Sequence, residues 1–176
     1  LRNTIGTIGD DAADCGIALV GAATTGGVPR ILIGGNRIDG AQGSGIAVQA
    51  RGLASYELTI RDNSVLNTLQ AAAPAVSDAG ITIWGGDPAL QAVTTTLSLT
   101  GNTVDARNIR LEQGAGPFLL EGDRALTPQQ NVEALNTNAG APAAVVGELS
   151  IVAPGTIGAP GENRPPAARD DSASAV

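Results

Sequence analysis

The sequence repeats one phrase three times, as ILIGGNRI at residues 31–38, LTIRDNSV at residues 58–65 and LSLTGNTV at residues 97–104. In each copy two apolar residues are separated by one other residue. The Asn follows the second of them by three positions, and a last apolar residue follows the Asn by two positions. A period of two residues is typical of a β-strand with one buried face and does not fit a helix. The phrase therefore predicts a strand that ends in a turn at the Asn.

A second alternating phrase occurs beside the first, and its copies are GIAL at residues 16–19, GIAV at 45–48, GITI at 80–83 and NIRL at 108–111. Each repeat unit is thus two short strands joined by a turn. The repeated Asn residues are 27 and 39 residues apart, and such variable spacing is typical of a β-solenoid, in which insertions leave the coil at its corners. The sequence predicts an all-β fold of about four coils.

The composition agrees with a stack of parallel coils. Ala, Val, Ile and Leu supply most of the 43% hydrophobic residues, and Phe, Trp and Tyr occur once each. Successive rungs of a parallel stack lie about 4.8 Å apart, so that equivalent side chains lie on top of one another. Asn tolerates left-handed turns, and stacked Asn amides hydrogen-bond from rung to rung. Asn36, Asn63 and Asn102 are therefore predicted to form a structural ladder.

The phrases at residues 31–38 and 45–48 resemble the coils of right-handed parallel β-helix proteins, a broad group that includes pectate lyases and many secreted bacterial surface proteins. The resemblance covers residues 1–122. The resemblance implies a right-handed parallel β-helix. It implies no specific activity, because proteins with this fold have many different functions.

Residues 123–153 differ from the coil phrases in their sequence pattern and are predicted to cap the coils. Thr127 is a good N-cap, Pro128 suits the first helical position and Gln130 completes a capping box, which predicts a helix over residues 128–135. Val132 and Leu135 are expected on one face of this helix. A last strand is expected over residues 144–152. The segment is similar to the closing part of β-helices in very large secreted bacterial repeat proteins.

Residues 154–176 are rich in Pro, Gly and Ala and predict an extended linker. Residues 163–176 resemble the first strand of the cadherin-like tandem domains of bacterial surface adhesins, which implies that the chain is a piece of a longer modular polypeptide. Calcium is the one cofactor that we consider. The candidate ligands are Asp10, Asp11, Asp14, Asp170 and Asp171, although the spacing of an EF-hand loop is missing.

The sequence excludes several classes of function. It contains no His and no Lys, and its net charge is -7. Catalytic systems that depend on His are therefore excluded, and nucleic acid is not an expected partner. A polysaccharide lyase or hydrolase on this fold would have to use Arg and carboxylates. The candidate sets are Asp10 and Asp11 with Asp14, and Asp62 stacked near Asp105. We assign no catalytic residue and expect that the protein is not an enzyme.

The function expected from these features is that of a noncatalytic structural or adhesive module of a large bacterial surface protein, located outside the cell and without a membrane span. Its expected partners are neighbouring domains or further copies of the chain, which would stack end to end into filaments through open strand edges. The alternatives are a glycan-cleaving β-helix and a carbohydrate-binding β-helix. In the latter, Trp84 would stack on a sugar ring of a surface glycan.

Overall fold

The computed structural model describes residues 4–5, 15–23, 28–41, 43–52, 55–68, 79–86, 93–105 and 107–157. These residues form a parallel β-solenoid with three sheets of five strands each. The chain passes through the three sheets in the same order in every turn, and every pairing between neighbouring turns is parallel. The predicted all-β, parallel β-helix architecture is thereby confirmed. Its right-handed sense stays a prediction from the resemblance.

The strands of each sheet come from successive turns. Sheet 1 contains β1 (Thr4–Ile5), β4 (Arg37–Asp39), β7 (Ser64–Leu66), β10 (Thr103–Val104) and β13 (Thr137–Asn138). Sheet 2 contains β2 (Ile17–Ala23), β5 (Ile46–Gly52), β8 (Ile81–Gly85), β11 (Ile109–Gln113) and β14 (Ala144–Val146). Sheet 3 contains β3 (Arg30–Gly34), β6 (Tyr56–Arg61), β9 (Thr95–Thr100), β12 (Phe118–Glu121) and β15 (Leu149–Val152). The chain thus contributes one strand to each sheet five times in succession, and the helix α1 (Pro128–Leu135) lies between β12 and β13.

Each turn has one strand more than the sequence predicted. The two alternating phrases account for sheets 2 and 3. The residues after each repeated Asn make a separate short strand in sheet 1, such as β7 at Ser64–Leu66. The phrase hides this corner because its alternating residues and its last apolar residue read as one continuous pattern, whereas the chain changes direction at the Asn.

Columns of aliphatic side chains fill the interior of the coil. In sheet 2, Ile46 pairs with Ile81 and Ile81 with Ile109, and all three side chains are buried. In sheet 3, Leu58 pairs with Leu97, and both are buried as well. Full burial of each such side chain contributes about 1.5–3 kcal/mol, so the columns supply the main driving force for stacking.

Helix α1 agrees with its predicted limits. Thr127 is the N-cap, its hydroxyl accepts a hydrogen bond from Gln130 N–H, and the Gln130 side chain completes the capping box. Val132 is buried in the core, as expected. Leu135, which was predicted on the same face of the helix as Val132, has an exposed side chain. Asn131 is buried instead, because its amide hydrogen-bonds the loop before the helix.

The single strand predicted over residues 144–152 is two strands. Gly147 has φ of +91° and breaks the stretch into β14 and β15. The first half pairs with β11 in sheet 2, and the second pairs with β12 in sheet 3. A left-handed backbone is accessible to Gly without strain, and it turns the chain around a corner of the coil at this position.

The corner before sheet 2 requires glycine for a steric reason. A Cβ on Gly80 would overlap Val104 Cγ1 from sheet 1, and a Cβ on Gly45 would overlap Val65 Cγ1. We predict that Gly80→Ala lowers the free energy of unfolding by about 1–3 kcal/mol, the usual cost of overpacking. Urea denaturation followed by circular dichroism measures this change.

The control for this prediction is the double variant Gly80→Ala/Val104→Ala, which removes the overlapping methyl groups. Its loss of stability should be smaller than the sum of the two single losses, because contacting residues are not additive. Additive losses would show that the contact with Val104 is not the reason for the glycine.

Candidate functional site

The corner between sheets 3 and 1 is built from a left-handed residue followed by Asn. Gly35, Asp62 and Gly101 have φ of 67°, 56° and 66°, and each directly precedes a repeated Asn. Because the backbone turns in the same way in each rung, the Asn side chains point in the same direction, into the coil. Asn36, Asn63 and Asn102 are at most 5% exposed.

The three predicted Asn residues are joined by hydrogen bonds. Asn36 Nδ2 donates to Asn63 Oδ1 at 2.9 Å, and Asn63 Nδ2 donates to Asn102 Oδ1 at 2.9 Å. The backbone N–H groups of Asn36 and Asn63 donate to the same oxygens, each at 3.1 Å. Each amide oxygen of Asn63 and Asn102 therefore accepts two hydrogen bonds from the preceding rung.

The ladder has a fourth member that the sequence analysis missed. Asn136 Oδ1 accepts hydrogen bonds from Asn102 Nδ2 at 2.8 Å and from the Asn102 N–H at 3.1 Å. Residues 136–138 read Asn-Thr-Asn and correspond to the end of the repeated phrase, but they have Asn138 where the other copies have an apolar residue. No alternating strand precedes them, because α1 replaces the strand end in this turn. The complete phrase is therefore absent around Asn136, and the sequence pattern did not predict this member of the ladder.

The second hydrogen of each amide binds main-chain oxygens at the corner. Asn63 Nδ2 donates to Ile33 O and Arg61 O, both at 3.0 Å, and Asn102 Nδ2 donates to Ile60 O at 2.9 Å. Buried polar groups are tolerated only when they are paired in this way. The amides of Asn63 and Asn102 are thus fully engaged and inaccessible, which suits a structural role and leaves no group for a ligand.

The candidate metal-binding carboxylates of the sequence analysis are not tested by the structure. Asp10, Asp11, Asp14, Asp170 and Asp171 lie outside the described residues. Within the described ranges, no group of three or more Asp, Glu or Cys residues is placed to hold a metal ion.

The expected stacking of Asp62 near Asp105 was wrong. Asp62 N–H donates to Thr100 O before β10, whereas Asp105 N–H donates to Val65 O at the end of β7. The two carboxylates therefore lie at opposite ends of the short strands of sheet 1. The pairing register of β7 and β10 decides this, and the sequence phrase does not show that register.

Trp84 lies half-buried in β8, within sheet 2. Its register partners are Gln49 in β5 and Glu112 in β11. Arg110 pairs with Glu112 at 2.9 Å in the adjacent strand. An indole ring beside an amide and an ion pair is the kind of surface on which a sugar ring can stack and form hydrogen bonds.

A shallow groove of about 600 Å³ lies beside α1 and is almost entirely apolar. Leu126, Ala134, Leu135 and Pro154 contribute to its walls. The amide of Asn131 also lines it, but that amide binds Asp123 O and accepts a bond from Asp123 N–H. Asp123 and Arg124 also line the groove, although most of its surface is apolar.

Comparison with known proteins identified no relative: no family model matches the chain, and neither the curated proteins nor the solved structures gave a match. Among the described residues, no helix has the length and apolar character needed to cross a membrane.

The ladder generates a stability prediction for Asn102, which lies between Asn63 and Asn136. In Asn102→Ala the Asn63 donors lose their acceptor, and the oxygens of Asn136 and Ile60 lose the side-chain donor, although the main-chain N–H of residue 102 still reaches Asn136 Oδ1. Each buried group left unpaired costs about 1–3 kcal/mol, so we expect a total loss of about 3 kcal/mol or more in urea denaturation. The control is Thr103→Ala at the neighbouring exposed position, which should change stability by less than about 0.5 kcal/mol. Equal effects would contradict the role of the ladder.

The variant Asn102→Asp tests the direction of the ladder. A carboxylate at this position would face three acceptor oxygens, Asn136 Oδ1, Ile60 O and Thr100 O. Its pKa should be raised, because the protonated form can still donate one hydrogen bond. The stability deficit relative to the unsubstituted chain should therefore be largest at pH 7 and shrink as the pH falls towards 4. A deficit that does not depend on pH would contradict this arrangement.

Proposed function

We propose that this chain is a noncatalytic structural module that acts as a stiff spacer in a large bacterial surface protein. The observation that carries the proposal is the ladder from Asn36 to Asn136, which links four successive turns through buried amides. A chain of paired polar groups inside a packed core rigidifies the stack along its axis. Rigidity along one axis is what a spacer between domains needs.

The charged groups support a structural role over catalysis. Arg30 pairs with Glu57 at 2.7 Å, and Arg110 pairs with Glu112 at 2.9 Å. These pairs are local and lie along or between neighbouring strands, so the carboxylates of Glu57 and Glu112 are each held by an Arg. The sequence also lacks His and Lys, which narrows the choice of a general base.

The cellular setting is part of the same proposal. The coil phrases resemble secreted β-helix proteins, and residues 163–176 resemble the start of a cadherin-like adhesin domain. We place the module at the bacterial cell surface or outside the cell, between other domains of one long polypeptide. Calcium, if it takes part, would bind at Asp170 and Asp171 together with residues of the following domain.

Single-molecule force spectroscopy tests the spacer. The chain is held between two handle domains and pulled through its termini. We expect a high unfolding force for the unsubstituted chain and a clearly lower force for Asn102→Ala, with Thr103→Ala as the matched control. Equal forces for Asn102→Ala and the control would contradict the proposal. Cleavage of acidic polysaccharides by the unsubstituted chain would contradict its noncatalytic part.

A second candidate function is glycan binding, which the placement of Trp84 between Gln49 and Glu112 favours. It predicts that acidic polysaccharide in a native gel retards the chain, that Trp84→Ala abolishes the retardation, and that Trp84→Phe keeps part of it because a ring remains. Retardation that is unchanged in Trp84→Ala would exclude this site.

A further inference from the structure

Glu121, the last residue of β12, departs from the burial pattern of its strand. Phe118 and Leu120 are buried in the core, and Leu119 between them is half-buried on the outer face of sheet 3. Because side chains alternate between the two faces of a strand, Glu121 also belongs to the outer face. It is nevertheless only 8% exposed. A buried carboxylate is tolerated only where it is paired, so the outer face must supply a partner at this position.

The partner of Glu121 is the main chain of Ile157. The Ile157 N–H donates to Glu121 Oε1 at 2.7 Å, and Ile157 is itself only 8% exposed. A hydrogen bond from an N–H group to a carboxylate is charge-assisted and stronger than a bond between neutral groups. Ile157 belongs to no helix or strand. Its burial and this bond therefore fasten a segment that follows the last strand of the coil.

Residues 153–157 form a tight turn after β15. Thr156 N–H donates to Ala153 O at 3.3 Å, and the Thr156 hydroxyl donates to the same oxygen at 2.6 Å. The turn brings Ile157 back to Glu121, at the end of β12. The chain therefore does not leave the coil directly from β15 but first makes contact with the neighbouring strand.

Strand β12 is held more firmly than β15. It pairs with β9 on one side and with β15 on the other, and its residues Phe118 and Leu120 are buried in the core. The corresponding residues of β15, Leu149 and Ile151, are only half-buried. A pull on Glu121 is therefore shared by two sets of main-chain hydrogen bonds and by fully buried side chains.

We infer that the contact between Ile157 and Glu121 is a latch that carries tension from the following chain into β12. Tension that arrives along the chain after residue 157 meets this latch first. Without the latch, the same tension would act directly on β15 and separate its pairs with β12 one after another, starting at Val152. Hydrogen bonds that are loaded one at a time break at a lower force than bonds that are loaded together.

This inference deepens the proposed spacer function and rests on it, because a latch of this kind matters only in a module that is under tension. It adds a specific weak point to that function. Loss of the Glu121 carboxylate should let the last strand open by itself, as local units with few buried contacts do, while the ladder from Asn36 to Asn136 stays intact.

Hydrogen exchange followed by NMR tests the latch without an applied force. In the unsubstituted chain the Ile157 amide should exchange as slowly as an amide within a strand, although it lies outside all strands. In Glu121→Ala it should exchange about ten- to hundredfold faster, because the lost bond is charge-assisted. The amides of β15 that bond to β12 should also exchange faster, because this strand then opens more easily.

The matched variants for this test are Glu121→Gln and Glu148→Ala. A Gln side chain keeps an oxygen that accepts the bond, so Glu121→Gln should retain part of the protection of Ile157, and it stays measurable if Glu121→Ala fails to fold. Glu148 lies between β14 and β15 and is exposed, so its replacement removes an equal charge and should leave Ile157 unchanged. Fast exchange of Ile157 in the unsubstituted chain, or equal exchange in Glu121→Ala and Glu148→Ala, would overturn the latch.

Optical tweezers test the path of the tension. Cys15 is replaced as Cys15→Ser, and handles are attached through Thr103→Cys, at an exposed position of β10, and through Val176→Cys. The load then crosses only the part of the coil that follows β10. Glu121→Ala should show an additional opening at low force that releases residues 149–157, which is about 30 Å of extended chain. The same low-force opening in the background without Glu121→Ala would overturn the latch.

The latch and the spacer can fail separately. If Asn102→Ala unfolds at the same force as Thr103→Ala, the spacer proposal fails, and the exchange of the Ile157 amide still decides whether the contact with Glu121 anchors residues 153–157. If Asn102→Ala weakens the chain but Glu121→Ala changes neither the exchange nor the low-force opening, the latch fails and the spacer stands.

Discussion

The hydrogen bond between stacked Asn amides is the constraint on which the rest of this structure depends. An amide can donate to the next rung and accept from the previous one only when the Asn residues lie directly above one another. Asn63 and Asn102 satisfy this condition at 2.9 Å. The bond therefore fixes the register at the corner between sheets 3 and 1. A slip of one residue would break the ladder and turn the aliphatic columns outward.

Fixed corners explain how the fold accepts a variable sequence between them. The Asn residues are 27, 39 and 34 residues apart along the chain, yet each step is one rung in space. The third interval, from Asn102 to Asn136, contains α1. The interior consists mainly of aliphatic side chains in columns, and Tyr56 and Phe118 are its buried aromatic residues.

The strands of sheet 2 become shorter along the solenoid. Strands β2 and β5 have seven residues each, β8 and β11 have five, and β14 has three. Gly147, with φ of +91°, turns the chain after β14, and α1 lies close to β13, β14 and β15. The rung that contains α1 therefore has the shortest strand of this sheet.

The sequence by itself determined the strand period, the stacking of Asn36, Asn63 and Asn102, and the limits of α1, because these depend on local alternation, turn chemistry and capping. The tertiary structure alone decided the third sheet, the membership of Asn136 in the ladder and the separation of Asp62 from Asp105. It also decided that residues 144–152 divide between two sheets. These features depend on which strands pair with each other. Pairing between residues that are distant in the sequence produces no local periodic pattern from which it could be predicted.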